Sequence, residues 1–167
     1  MNNITNITVV CPGSFDPVTV GHLDIIRRAS QMFSKVIVLV SINRSKKPSF
    51  TVEERVAMLK KVTEDIPNVE VDSYDGLLAD YTKKVGAKAI IKGLRAMSDF
   101  EYEFQMALTN KKLNPNAETM FFSSSAENMY LSSSMVKLIA SMGGDVTDFI
   151  PKTILNSVVE RLKRKDG

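Results

Sequence analysis

The chain has 167 residues and a mass of 18.6 kDa, enough for one compact domain and too short for two catalytic domains with separate cores. With 44% hydrophobic and 25% charged residues and a net charge of +3, it matches neither a disordered nor a low-complexity chain, and it lacks the basic bias of a broad nucleic-acid face. Its apolar runs fall far short of the roughly 20 residues that cross a bilayer, and the N-terminus has no basic segment followed by an apolar one. The single cysteine, Cys11, rules out an internal disulfide and a cysteine-based metal site. These features lead us to expect a cytoplasmic protein with no membrane or nucleic-acid partner, whose anion sites are local.

Ile7 to Cys11 reads as a first strand, followed by a helix in which Leu23, Ile26, Ala29, Met32 and Phe33 recur at helical spacing. Val36 to Ile42 is a second strand, apolar without alternation, as strands covered on both faces require. A helix over Val52 to about Thr63 is announced by Thr51 and Glu54 at capping-box spacing. Val69 to Ser73, Ala89 to Lys92 and Thr119 to Phe122 complete a set of five strands. Two crossover helices separate them, with stripes Leu77, Leu78, Tyr81, Val85 and then Phe100, Phe104, Ala107, Leu108. Ser132 to Met142 is a further helix stopped by Gly143 and Gly144. The last helix carries Ile150, Ile154, Leu155, Val158, Val159 and Leu162, with Pro151 in its first turn and Lys163 to Gly167 as a solvated end. The order predicts a doubly wound α/β domain with a mostly parallel sheet. Its ligands should sit beyond the carboxyl ends of the strands, chiefly strands one, four and five.

The first strand runs into Pro12-Gly13-Ser14-Phe15-Asp16-Pro17, and the next helix opens at Thr19-Val20-Gly21-His22. Neither G-x-G-x-x-G nor G-x-x-x-x-G-K-[ST] is present, which disfavours a dinucleotide redox site and a phosphate-loop kinase. With Thr19 as N-cap, Gly21 and His22 fall in a first turn whose free N–H groups attract phosphate, and Gly21 leaves room for it. Alone, such a turn with one histidine is more often structural. Ser45-Lys46-Lys47-Pro48 offers two loop cations, a common surface feature. Ile91-Lys92-Gly93-Leu94-Arg95 places two cations around a glycine at a strand's end, and Arg95 can grip phosphate through parallel N–H groups. Glu103 lies on the following helix, whose acidic side is otherwise an ordinary polar face. Ser132-Ser133-Ser134 combines hydroxyls with free backbone N–H groups at a helix start, whereas Ser123-Ser124-Ser125 reads as a plain loop.

Taken together, Pro12 to Pro17, Thr19 to His22 as a form of the T/H-x-G-H motif, Ser45 to Pro48, Thr51 to Val56, Gly93 to Arg95, Asp99 to Glu103 and Leu131 to Lys137 resemble the bacterial phosphopantetheine adenylyltransferase family over nearly the whole chain. The resemblance implies a single Rossmann-like nucleotidyltransferase domain over residues 1–167, with C-terminal helices from about residue 132. It also implies transfer of the adenylyl group of ATP to 4'-phosphopantetheine, giving dephospho-coenzyme A and pyrophosphate, with coenzyme A as a product-like ligand. By family pattern Ser14, Phe15, His22, Gly93, Leu94, Arg95, Glu103, Asn128, Met129, Tyr130, Leu131, Ser132, Ser133 and Ser134 would contact ATP. Ser14, Lys46, Leu78 and Lys92 would contact the acceptor. Ser14 stands where the family commonly has threonine and keeps the hydroxyl. Lys92 stands where it commonly has arginine and loses the planar fork. Magnesium and a homohexamer are implied by the resemblance alone. Catalysis is expected to rest on His22, Lys46, Ser14 and Arg95 without a general base. The competing readings are another small-molecule nucleotidyltransferase and a nucleotide-binding module without turnover.

Overall fold

The computed structural model describes residues 6–163, apart from the side chains of Met97 and Ser98; residues 164–167 of the expected solvated end lie outside the described residues. Five strands form one sheet: β1 (Thr8–Gly13), β2 (Lys35–Ser41), β3 (Val69–Tyr74), β4 (Ala89–Leu94) and β5 (Glu118–Ser123). Their order is β3-β2-β1-β4-β5 and every pairing is parallel. Between them run α1 (Val20–Met32), α2 (Val52–Val62), α3 (Leu78–Val85) and α4 (Met97–Leu113), and α5 (Ser133–Ser141) and α6 (Leu155–Lys163) follow β5. The chain reverses direction between β1 and β4, which opens a crevice above their carboxyl ends.

The central strands are apolar on both sides because both sides are covered. Val9, Cys11, Val36, Val38 and Val40 pack with Ile26 and Ala29 of α1, Leu59 of α2 and Val158 of α6. Val10, Ile37 and Leu39 face the opposite way, toward Tyr81 of α3. Residues i and i+2 thus serve one core and i+1 the other. The Thr51 capping box is present, with Thr51 accepting from Glu54 N–H and Glu54 reaching back to Thr51 N–H. Helix α5 ends with Gly143 at φ 76°, where its N–H donates to Ala140 and the Gly144 N–H to Ile139, a left-handed stop suited to glycine.

Two expectations need correction. Pro151 is not in the first turn of α6: the Ile154 and Leu155 N–H groups bond back to Pro151 and Lys152, and this tighter lead-in delays the helix to Leu155. The α4 stripe is not buried either, since Phe100, Phe104 and Leu108 are 40%, 47% and 57% exposed. Helical spacing shows that a face is apolar, not what covers it.

Candidate active site

A cleft of about 480 Å3 lies over the carboxyl ends of β1 and β4, walled by the starts of α1 and α5 and by the loop after β2. The turn after β1 is tightly held. Arg55, buried on α2, donates from Nη1 to the Ser14 carbonyl at 2.9 Å, and Phe15 adopts a positive φ of 48°. The Phe15 ring meets the His22 ring edge-on at 5.0 Å, while Ser14 remains exposed toward the cleft.

Thr19 is the N-cap of α1 and His22 its third residue, and the two form a reciprocal capping box. The His22 N–H donates to Thr19 Oγ1 at 3.3 Å, and the Thr19 N–H donates to His22 Nδ1 at 3.0 Å. Because Nδ1 accepts, the neutral ring carries its proton on Nε2. Burial pushes the His22 pKa down from 6.5 to about 4, helped by the positive charges of Arg95 and Lys92. His22 is therefore a fixed, uncharged donor near neutrality. The rest of the turn is less open than the sequence suggests: the Val20 N–H donates to Phe149, so among the described residues only Gly21 keeps an unpartnered N–H in this turn.

Lys92 and Arg95 leave β4 on the cleft wall, each beside a carboxylate of α4. Lys92 Nζ is 3.5 Å from Glu103. Arg95 donates to Asp99 from Nε at 3.0 Å and from Nη2 at 3.4 Å, and to the Leu131 carbonyl from Nη1 at 3.0 Å, which leaves N–H groups for a ligand. Gly93 lines the cleft, yet its missing side chain serves packing: a Cβ there would stand 3.2 Å from Ile25 of α1. Below lies the Cys11 thiol, which burial pushes up to about 12 against a smaller opposing pull from Lys92, so it stays protonated.

At α5 the three serines divide their work. Ser132 caps the helix, accepting from Met135 N–H at 3.1 Å, and the Ser133 hydroxyl donates to the Pro17 carbonyl at 2.7 Å. Two hydroxyls thus hold the protein together. Among the described residues the N–H groups of Ser133 and Ser134 have no protein partner, and both residues line the cleft. Two such open N–H groups can cradle an anion.

Residues 10–139 match the family described as cytidylyltransferase-like. The chain is 57% identical over 155 residues to a phosphopantetheine adenylyltransferase of Caldanaerobacter subterraneus subsp. tengcongensis, covering 93% of this chain and 97% of the relative. It is 54% identical to the phosphopantetheine adenylyltransferase of Clostridium tetani, covering 93% and 98%, and 54% identical to that of Dictyoglomus turgidum, covering 95% and 99%. The chain belongs to the phosphopantetheine adenylyltransferase family. It is thus a nucleotidyltransferase with a Rossmann-like fold. A solved Vibrio parahaemolyticus structure, provisionally described as a nicotinate-nucleotide adenylyltransferase, shares that fold with a TM-score of 0.63 at 16% identity, covering 95% of this chain and 99% of the other.

Of the residues that the family pattern assigns, Ser14, Phe15, His22, Lys46, Lys92, Gly93, Arg95, Glu103, Asn128, Leu131 and Ser132 to Ser134 come together around this one cleft. Leu78 does not; it lines an adjoining hollow of about 100 Å3 that shares Lys92, Tyr102 and Glu103 with the main cleft. Leu94, Met129 and Tyr130 are not on the cleft wall. The Leu94 carbonyl accepts from Ser124 N–H at 2.8 Å, Met129 is half exposed, and the Tyr130 ring packs on Phe149. Ser123 to Ser125 are more than a plain loop, because Ser123 closes β5 and Ser124 lines the cleft. Asn43 also lines it, as do Asp99 and Tyr102 of the Asp99 to Glu103 motif, to which the family pattern assigned no ligand. Asn43 follows β2, a strand end that the topological rule should have included alongside strands one, four and five.

Proposed function

We propose that this chain transfers the adenylyl group of ATP to 4'-phosphopantetheine, forming dephospho-coenzyme A and pyrophosphate. An acceptor phosphate oxygen attacks the α-phosphorus, and the bond from that phosphorus to the bridging oxygen breaks with pyrophosphate as leaving group. The attacking oxygen is already an anion at neutral pH, so no general base is needed. Ser14 and Lys46 orient the acceptor, with Lys92 holding its phosphate. Arg95 and the N–H groups that open α5 hold the triphosphate. His22 donates from Nε2 to the negative charge that grows at the α-phosphate. The observation that carries this reading is the neutral, capping-box-locked His22 facing Lys92 and Arg95. A donor fixed before the reaction needs no reorganisation during it.

Magnesium fits only as an ion brought in on the phosphates. Among the described residues no group of three or more His, Cys, Asp or Glu side chains could hold one, and the nearby Asp99 and Glu103 face Arg95 and Lys92. When bound, it offsets charge on the departing pyrophosphate. We place the reaction in the cytoplasm, in one nucleotidyltransferase domain, with coenzyme A as a product-like ligand. No helix among the described residues is long and apolar enough to cross a membrane. The exposed Phe104 and Leu108 of α4 and Met120 on the edge strand β5 support self-association, for which the family resemblance implies a homohexamer, and sedimentation velocity checks it.

The deciding experiment is pyrophosphate release with ATP and 4'-phosphopantetheine, set against CTP and against nicotinate mononucleotide as acceptor. Turnover with the first pair alone supports the assignment. Preference for another pair overturns the substrates, and ATP binding without pyrophosphate release overturns catalysis.

A further inference from the structure

The foot of the Lys46 loop is held by side chains from distant parts of the chain. The buried Asp16 carboxylate accepts from the N–H groups of Ser49 and Phe50, each at 2.9 Å. From the other side Arg161 of α6 donates to the Ser49 carbonyl at 3.1 Å, pairs with Glu54 and lies 5.2 Å over the Phe50 ring. The Thr51 N–H is taken by Glu54 at 2.8 Å. Residues 43–48, with Lys46 among them, are exposed, whereas this foot is pinned. The same Asp16 carboxylate also pairs with Lys137 on α5, and the adjoining Pro17 carbonyl receives the Ser133 hydroxyl. Asp16 is not on the cleft wall.

We infer that Asp16 is a positioning residue that sets the Lys46 loop against the anion cradle of α5, fixing the separation between the acceptor and nucleotide subsites. Bonds from two backbone N–H groups and an ammonium to one buried carboxylate are strong and short-ranged, so the segments they join move together or not at all. In-line transfer is sensitive to that separation, because a misplacement near 1 Å costs on the order of a hundredfold in rate. The inference rests on the assignment of Lys46 to the acceptor, and the test separates the two.

The full chain carrying Asp16→Asn, Asp16→Asn with Lys137→Met, or Arg161→Ala is compared with the parent. The measurements are steady-state kinetics in both substrates, amide exchange at Ser49 and Phe50, and the thermal midpoint. In Asp16→Asn, exchange at both amides accelerates about tenfold, and KM for 4'-phosphopantetheine rises about tenfold, more than KM for ATP. Adding Lys137→Met removes the stranded ammonium and recovers the thermal midpoint, but KM for the acceptor stays raised. Arg161→Ala, which leaves Asp16 and α5 in place, raises the acceptor KM about threefold and leaves that for ATP unchanged. Recovery of the acceptor KM in the double variant overturns the proposal, since Asp16 would then serve only to neutralise Lys137. Should Asp16→Asn fail to fold, an unchanged acceptor KM in Arg161→Ala overturns it as well. Fast exchange at both amides, combined with a Lys46→Ala variant of unchanged acceptor KM, overturns instead the assignment of Lys46.

Discussion

The starts of α1 and α5 carry the same local signal, a hydroxyl N-cap, yet they present different chemistry to the cleft. At α1 the first turn is mostly closed upon itself and its surroundings: Phe149 takes the Val20 N–H, Thr19 takes that of His22, only the Gly21 N–H stays open among the described residues, and one imidazole is left with a fixed tautomer. At α5 the cap takes the Met135 N–H, and the N–H groups of Ser133 and Ser134 stay open. One helix start offers a rigid ring donor beside one open N–H, that of Gly21, and the other offers two open N–H groups in a row. Rigid donors suit charge that develops only in the transition state, while a cradle holds charge present throughout. The difference comes from what the neighbouring chain supplies to each end.

The most severe way to break this contrast is His22→Ala. Turnover should fall by roughly a hundredfold or more, the scale of losing one preorganised donor, while KM for ATP changes little. Steady-state kinetics with both substrates checks it; a raised KM with intact kcat would move His22 to the cradle's side of the comparison.

The cradle is broken differently. Ser133→Pro removes one open N–H at the first helical position, where proline's fixed φ fits, and the preceding Ser132 is already extended at φ −142° and ψ 158°. KM for ATP should rise about tenfold, as for loss of a hydrogen bond to a charged group. Ser133→Ala, which keeps the N–H and loses only the hydroxyl bond to Pro17, should raise it far less. Equal effects would mean that the hydroxyl's tie to Pro17 matters more than the N–H.

Acid pH sharpens the contrast without mutation. The chain has one histidine, so a single imidazole titration is read by NMR. With its pKa lowered from 6.5 to about 4, chiefly by burial, His22 stays neutral down to about pH 5, so Nδ1 goes on accepting from the Thr19 N–H and the ring should keep its orientation, and its share of turnover, between neutrality and that point. The sign for stability follows: between 6.5 and about 4 the unfolded chain binds a proton that the folded chain refuses, so stability from this group falls as pH drops through that window. A midpoint near 6.5 would mean that Nδ1 is free to protonate.

How much of this was legible in the sequence depended on the range of the interaction. Strand positions followed from short β-branched runs, the start at Thr51 from capping-box spacing and that at Thr19 from its hydroxyl ahead of the helix, because those signals span only a few residues. The role of Arg95 was half legible: a cation at a strand end points to phosphate, but Asp99 four residues on and the Leu131 carbonyl hold the guanidinium. Asp16 gave no local signal, since its partners Ser49, Phe50 and Lys137 lie 33, 34 and 121 residues away. Arg55 and Arg161 are silent in the sequence for the same reason, their partners Ser14 and Ser49 lying 41 and 112 residues away. The exposed α4 face shows the opposite failure, an apolar spacing that the chain's own core does not cover.

The smallest effect separates the two caps themselves. Thr19 is buried at 2% exposure and Ser132 is only half-buried, though each side-chain oxygen accepts one N–H of its own helix. Thr19→Val keeps the shape and removes the acceptor, stranding the His22 N–H where water has little access. Ser132→Ala leaves the Met135 N–H on an exposed residue that water can reach. A lost cap costs about 1 kcal/mol in general, and an unsatisfied buried donor costs toward the upper end of about 1–3 kcal/mol. Thr19→Val should therefore lower the thermal midpoint by several degrees, at about 2–4 °C per kcal/mol for a chain of this size, and Ser132→Ala by less. Because the Thr19 N–H still donates to Nδ1 through the backbone, the Nε2–H tautomer should survive Thr19→Val, and kcat should fall much less than in His22→Ala. A kcat as low as that of His22→Ala would show that the hydroxyl, not the backbone N–H, fixes the ring.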